Sequence, residues 1–171
     1  LHVPSDPTPG KHTHLIFHLS ASEPGPGPET PAGPDLFWED TRKFGYCRLL
    51  APHEFETWPF WATLGPEPLR IDAATFRGLL ANRRTRIKAL LLDQQVIAGI
   101  GNIYADESLF RARIRPDRQA DTLSKAQANR LFRSVQTVLN EAIDACGSTI
   151  SDYRDAQGSA GAFQKQFQVY G

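Results

Sequence analysis

The sequence predicts an α+β fold, with strands in roughly the first 60 residues and helices from about residue 72 to residue 147. Two patterns carry this. Residues His14 to Leu19 alternate, with Leu15, Phe17 and Leu19 on one side and His14, Ile16 and His18 on the other, as in a half-buried strand. Further on, apolar residues recur at spacings of three and four, the period of a helix with one buried face. With 40% hydrophobic and 10% aromatic residues in 171, the chain is rich enough to bury a core and is not of disordered type.

After Leu19, residues Ser20 to Pro34 carry five prolines and three glycines, and this stretch is expected to be an elongated hairpin loop. Leu36 to Glu39 and Phe44 to Leu50 are expected as two further short strands. These strands are too few to close a stable sheet by themselves. His53 to Trp61 is aromatic-rich, suited to interdomain packing or to base stacking, and Leu64 to Leu69 is a stiff Gly/Pro connector.

Asp72 to Asn82 reads as a short helix capped by Asp72, with Phe76, Leu79 and Leu80 buried. Arg83, Arg84, Arg86 and Lys88 then place four cations in six residues, just before the buried spacing of Ile87, Leu90 and Leu91. Gly99 and Gly101 bracket Ile100 and mark a sharp turn. Asn102 follows as a candidate helix N-cap. The helix after it has Asp106 and Glu107 early and Arg111, Arg113 and Arg115 late, matching its dipole. Ile103, Phe110 and Ile114 repeat at helical spacing, and Arg115 before Pro116 is the expected stop. A glycine turn opening a helix leaves outward N–H groups that can seat a phosphate; it also serves plain tight packing of two helices.

Ser124 and Gln127 form a capping box. The helix behind it keeps Ala128, Leu131, Val135, Val138, Leu139, Ala142 and Ile143 on one face and stops at Gly147. From Ser148 to about Ala162 the chain reads as a loop, and Phe163, Phe167, Val169 and Tyr170 alternate enough to begin a strand.

A formal net charge of +0 and a pI near 7.1 do not announce a nucleic-acid partner; only the local clustering of arginine does. Cys47 and Cys146 lack metal-ligand spacing and form no disulfide framework. The two isolated thiols fit a reducing cytoplasm; no run approaches the eighteen or so apolar residues of a membrane span, and no signal-peptide pattern opens the chain.

Residues 96–118, VIAGIGNIYADESLFRARIRPDR, resemble the helix-two-turn-helix module of bacterial formamidopyrimidine-DNA glycosylases, base-excision enzymes that remove oxidised purines. Asp40-Thr41-Arg42-Lys43-Phe44-Gly45 resembles that family's Asp-Pro-Arg-Arg-Phe-Gly loop, with threonine in the proline's place. The resemblance implies a partial β-sandwich catalytic domain over 1–69, a helix-two-turn-helix DNA-binding domain over 70–147, and a base-capping loop leading into a zinc finger over 148–171. It also implies DNA contacts by His12, Arg42, Phe44, Arg83, Arg84, Lys88, Gly101 and Asn102. Arg42 would pair with the base orphaned by flipping, and Phe44 would fill the kinked step. Ile150, Ser151, Asp152 and Tyr153 would lie in the loop that folds over the everted base.

The family's nucleophile is an N-terminal proline that attacks the sugar C1′, with an adjacent glutamate as acid/base partner. Leu1-His2-Val3 does not resemble that start, so no catalytic residue is assigned, no metal ligand either, and the isolated chain is expected to be inactive. Its zinc is expected in a four-cysteine finger beyond Tyr170. The expected partner is double-stranded DNA with oxidised or abasic sites, bound by a monomer in the bacterial cytoplasm and nucleoid, with no membrane. A non-catalytic nucleic-acid-binding protein using the same module, or a plain helical scaffold, are the competing readings.

Overall fold

The computed structural model describes residues 1, 3–4, 8–20, 32–41, 43–148 and 160–170. The chain divides into two compact units, Leu1–Arg48 with Ala145–Gln164, and Leu49–Asp144 with Lys165–Gly171. Helices follow a small antiparallel sheet, as an α+β fold requires.

In the first unit, β1 (Thr13–Ser20) pairs with β2 (Ala32–Glu39), placing Leu15 opposite Trp38, Ile16 opposite Phe37 and Phe17 opposite Leu36. Phe37 is 2% exposed and is the most buried side chain of the hairpin. β2 begins inside the stretch expected to be loop. The ladder tolerates Pro34 because the register slips there: His18 faces Asp35 and Ser20 faces Ala32, so β2 takes three steps where β1 takes two. A proline with no N–H to donate is at home at such an irregularity. Gly33 is required beside it, since a Cβ would stand 2.7 Å from the Leu19 carbonyl oxygen. Across the hairpin His18 Nδ1 meets Asp35 Oδ1 at 2.7 Å, and His14 Nε2 meets the Asp40 carbonyl at 3.0 Å.

Phe44 to Leu50 does not form the expected strand. Phe44, Tyr46 and Leu49 are 86%, 63% and 97% exposed, and among the described residues no sheet edge pairs with them. Alternation makes a strand only where a neighbouring ladder accepts its N–H and C=O groups.

The second unit opens with two single-turn helices, α1 (Pro52–Phe55) and α2 (Pro59–Ala62), each started by proline at its first position. Their aromatics pack on one another, Phe55 on Trp61 at 4.5 Å and Trp58 on Phe60 at 5.0 Å between ring centroids. α3 (Ala73–Leu80) is capped by Asp72, whose Oδ1 accepts the Thr75 N–H at 2.7 Å. α4 (Ile87–Leu92) buries Ile87, Leu90 and Leu91 as expected. α5 (Asn102–Arg111) and α6 (Lys125–Asp144) complete the bundle, α6 packing against both α3 and α5. The capping box of α6 is formed, with Gln127 N–H donating to Ser124 Oγ at 3.2 Å and Ser124 N–H to Gln127 Oε1 at 3.0 Å.

Two face assignments differ from expectation. On α5 the buried stripe is Ala105, Leu109 and Ala112, while Phe110 is 52% exposed. On α6 Phe132 is buried, its ring 5.2 Å from that of Phe76, and Ile143 at the far end is 62% exposed. On α6 it is α3, through Phe76, that supplies the partner for Phe132.

α5 ends earlier than Arg115. Ile114 N–H donates to the Leu109 carbonyl at 3.0 Å and Arg113 N–H to the Phe110 carbonyl at 2.9 Å, a Schellman closure in which Leu109 and Ile114 are both buried. Arg113 therefore sits at φ 51, the left-handed site that glycine normally fills. For an L-residue that conformation costs about 1 kcal/mol. Arg130 Nε caps the same helix end by donating to the Ala112 carbonyl at 2.7 Å.

The strand expected from Phe163 is instead a 3-10 turn, Phe163–Gln166. Beyond it, the N–H groups of Gln168, Val169 and Tyr170 all donate to the carboxylate of Glu107, at 2.9 to 3.0 Å. A ladder needs those N–H groups for a neighbouring strand; here one buried carboxylate takes them.

Candidate nucleic-acid interface

The turn between α4 and α5 is built from within. Asp93 closes α4, its carbonyl accepting the N–H groups of Val96 and Ile97 at 2.9 and 3.0 Å. The Gln94 side chain then staples the turn: Nε2 donates to the carbonyls of Leu92 and Ile100 at 3.1 and 3.0 Å, and Oε1 accepts the Gly99 N–H at 2.8 Å. Gly99 is at φ +86, a conformation that side chains avoid. The Leu64–Leu69 connector holds the turn from outside, through Gly65 N–H to the Gln94 carbonyl at 2.8 Å and Ala98 N–H to the Pro66 carbonyl at 3.1 Å. Gly65 permits this approach, because a Cβ there would lie 2.5 Å from the Val96 carbonyl carbon. Gln94 was not singled out in the sequence; its only signal was a polar pair, Gln94-Gln95, between two apolar runs.

Gly101, not Asn102, is the N-cap of α5. Glycine has no side chain to return a hydrogen bond to the first turn, and Asn102 stands exposed at the first helical position. A helix start of this kind attracts anions through its N–H groups and its dipole. Arg83 and Arg84 are exposed on the loop between α3 and α4. Lys88, at the start of α4, is half-buried and paired with Asp106 of α5 at 2.8 Å. Asp106 and Glu107 thus serve a cation and a main-chain turn, and neither lies in the first turn of the helix.

In the first unit, the Asp40–Gly45 turn is drawn by one carboxylate: Lys43 N–H donates to Asp40 Oδ1 at 2.9 Å and Gly45 N–H to Oδ2 at 2.7 Å. Lys43 takes φ 57, and Gly45 lies so close to the Trp38 ring that a Cβ would meet it at 2.7 Å. The turn leaves Phe44 86% exposed, with no core role. His12 is half-buried, its carbonyl accepting the Asp40 N–H at 3.1 Å, which ties the start of β1 to this turn. Arg42, Ile150, Ser151, Asp152 and Tyr153 lie outside the described residues. Among the described residues no three His, Cys, Asp or Glu side chains converge as metal ligands, and Cys47 and Cys146 are exposed thiols.

Residues 64–154 match the family model for the formamidopyrimidine-DNA glycosylase H2TH domain. A formamidopyrimidine-DNA glycosylase of Nitratidesulfovibrio vulgaris is 53% identical over 171 residues, covering all of this chain and 44% of that protein. The crystal structure of the MutM (Fpg) protein of Thermus thermophilus superposes with a TM-score of 0.75 at 42% identity, over 86% of this chain and 59% of that one. The Lactococcus lactis Fpg mutant G226P in complex with DNA containing Fapy-dG gives a TM-score of 0.79 at 31% identity, over 97% of this chain and 57% of that one. The chain thus spans about half the length of the curated relatives it matches. A helix start capped by glycine, a glycine turn stapled from both sides and a family match over more than half of the residues converge, and the chain belongs to the formamidopyrimidine-DNA glycosylase family.

Proposed function

We propose that this chain is the DNA-gripping part of a base-excision glycosylase that removes oxidised purines from duplex DNA by everting the damaged base. We further propose that the whole protein is bifunctional, cleaving the glycosidic bond and then the strand at the abasic site, with none of that chemistry assigned to residues of this chain. Phe44 carries the reading. A large aromatic side chain 86% exposed on a turn pinned by two carboxylate hydrogen bonds does nothing for the fold, whereas an apolar wedge inserted at a kinked base step needs that presentation. Asn102, Gly101 and the first-turn N–H groups of α5 would hold one backbone phosphate, Arg83, Arg84 and Lys88 its neighbours, and His12 a phosphate beside the wedge. Arg42 and the Ile150–Tyr153 segment keep the roles that the resemblance implies, against the orphaned base and the everted base.

The test is equilibrium binding of the 171-residue chain to duplexes with 8-oxoguanine, an abasic site or no lesion. Tighter binding to the lesion duplexes is expected, and Phe44→Ala should remove most of that preference while leaving intact-duplex affinity in place. Equal affinity for all three duplexes would favour a non-catalytic nucleic-acid-binding module. Borohydride trapping on the abasic duplex should give no covalent adduct; an adduct would mean that an amine of this chain does the chemistry.

A further inference from the structure

The last turn of α5 and the segment after it carry charge that the interface above does not use. Ile87 N–H donates to the Arg118 carbonyl at 2.7 Å, Lys88 N–H to Pro116 at 3.2 Å, Ala120 N–H to Thr85 at 3.0 Å and Asp121 N–H to Arg83 at 3.2 Å. These bonds lace the loop before α4 to residues 116–121, with Arg86 facing Gln119. Residues 83–86 and 113–121 together hold six arginines, at 83, 84, 86, 113, 115 and 118, against Asp117 and Asp121, in a chain whose formal net charge is +0. Three of those arginines line one concave cavity of about 540 Å³ with Ile114 and Asp117.

The arginines differ in what they do. Arg118 is spent on the loop, its guanidinium donating to the hydroxyl and carbonyl of Thr122. Arg115 meets Asp117 at 2.8 Å, but its side chain is 83% exposed, and an exposed ion pair exchanges partners at little cost. Arg113 is exposed at φ 51, where the Schellman closure calls for glycine. A strained residue kept on a surface points to use of its side chain.

We propose that Arg86, Arg113 and Arg115 form a second phosphate-binding surface, which takes the sugar-phosphate backbone of duplex DNA at the C-terminal end of α5. The proposal rests on the DNA-binding reading above and extends it from the glycine turn along the laced loops. Arg83 and Arg84 link the two surfaces. The contacts are to phosphate, so they add affinity and salt dependence without sequence preference.

The experiment is the salt dependence of intact-duplex binding by the full chain. Arg113→Gly is the informative variant, because glycine relieves the backbone and the protein keeps its fold. It should melt no lower than the parent, yet the slope of log K against log salt should fall by about 0.9, and by about 1.8 with Arg115→Ala added. Each lost contact then removes about 3.5-fold of the affinity change between 50 and 200 mM salt. Arg70→Ala, an exposed arginine on neither loop, should leave the slope unchanged. An unchanged slope in the double variant, with Arg84→Ala still lowering it, overturns the second surface and spares the DNA-binding reading. Loss of binding to poly-glutamate in the double variant, with the DNA slope intact, overturns it in favour of an acidic polypeptide. Absence of duplex binding by the parent chain overturns both.

Discussion

Replacing Glu107 by glutamine should detach the 165–170 turn from α5. The Glu107 side chain is fully buried, and its two oxygens accept three consecutive main-chain N–H groups, those of Gln168, Val169 and Tyr170. Successive N–H groups arranged this way form an anion-binding concavity. Hydrogen bonds to a charged acceptor contribute about 1.5 to 3 kcal/mol each, offset here by several kcal/mol for burying the carboxylate. Glutamine keeps a neutral oxygen where Oε1 accepts all three N–H groups and sets an NH2 group in place of Oε2 against the Gln168 N–H, so the three bonds lose their charged acceptor and one contact turns repulsive, at about 1 to 3 kcal/mol in all. The turn can open into water locally, which limits the total to its own docking free energy. A weakening of about 2 to 3 kcal/mol is therefore expected. Hydrogen exchange at the three amides should accelerate about 30- to 150-fold, tenfold for each 1.4 kcal/mol, while the amides of Ala105 and Leu109 in α5 change little. Exchange at Gln168, Val169 and Tyr170 within about threefold of the parent would show that the carboxylate is not what holds the turn.

Gln94→Ala removes three side-chain hydrogen bonds from the glycine turn; the second unit should melt several degrees lower and lose duplex affinity, as read by calorimetry and titration, and an unchanged affinity would separate the staple from the interface. Asn102→Ala should weaken binding to intact and lesion duplexes by the same factor, of order tenfold, because a phosphate contact carries no base information; a loss confined to lesion duplex would contradict that role. Asp72 is held below its ordinary carboxylate value by the Thr75 main-chain N–H, then by the Thr75 hydroxyl. With the folded value depressed, its contribution to stability is present above the ordinary value and fades as pH falls through the folded one. In the parent, an NMR titration should find the Asp72 midpoint lower than in Thr75→Ala, and equal midpoints would remove the hydroxyl's share.

What the sequence by itself determined were the features that depend on neighbours along the chain. The Asp72 cap, the Ser124–Gln127 box and the spacing of Ile87, Leu90 and Leu91 each need only a few adjacent residues, and each is present in the fold; the alternation of His14 to Leu19 gives its strand, but Leu15, Phe17 and Leu19 are exposed where a half-buried strand would cover them. The glycine turn was legible for the same reason, while Phe44 as an outward wedge was legible only through the resemblance that its short motif carries. Partners distant in sequence decided the rest. Phe44 to Leu50 had the alternation of a strand and no edge to pair with among the described residues, and Phe163 to Tyr170 lost its ladder to a carboxylate some 60 residues earlier. Phe110 fits a helical stripe on paper, yet the side of α5 that is buried is set by where α4 and α6 pack. Gln94 and Glu107 were ordinary polar residues until the backbone brought N–H and C=O groups to them. Spacing encodes the period of an element; only tertiary packing decides which of its faces is covered and which buried polar group answers which main-chain donor.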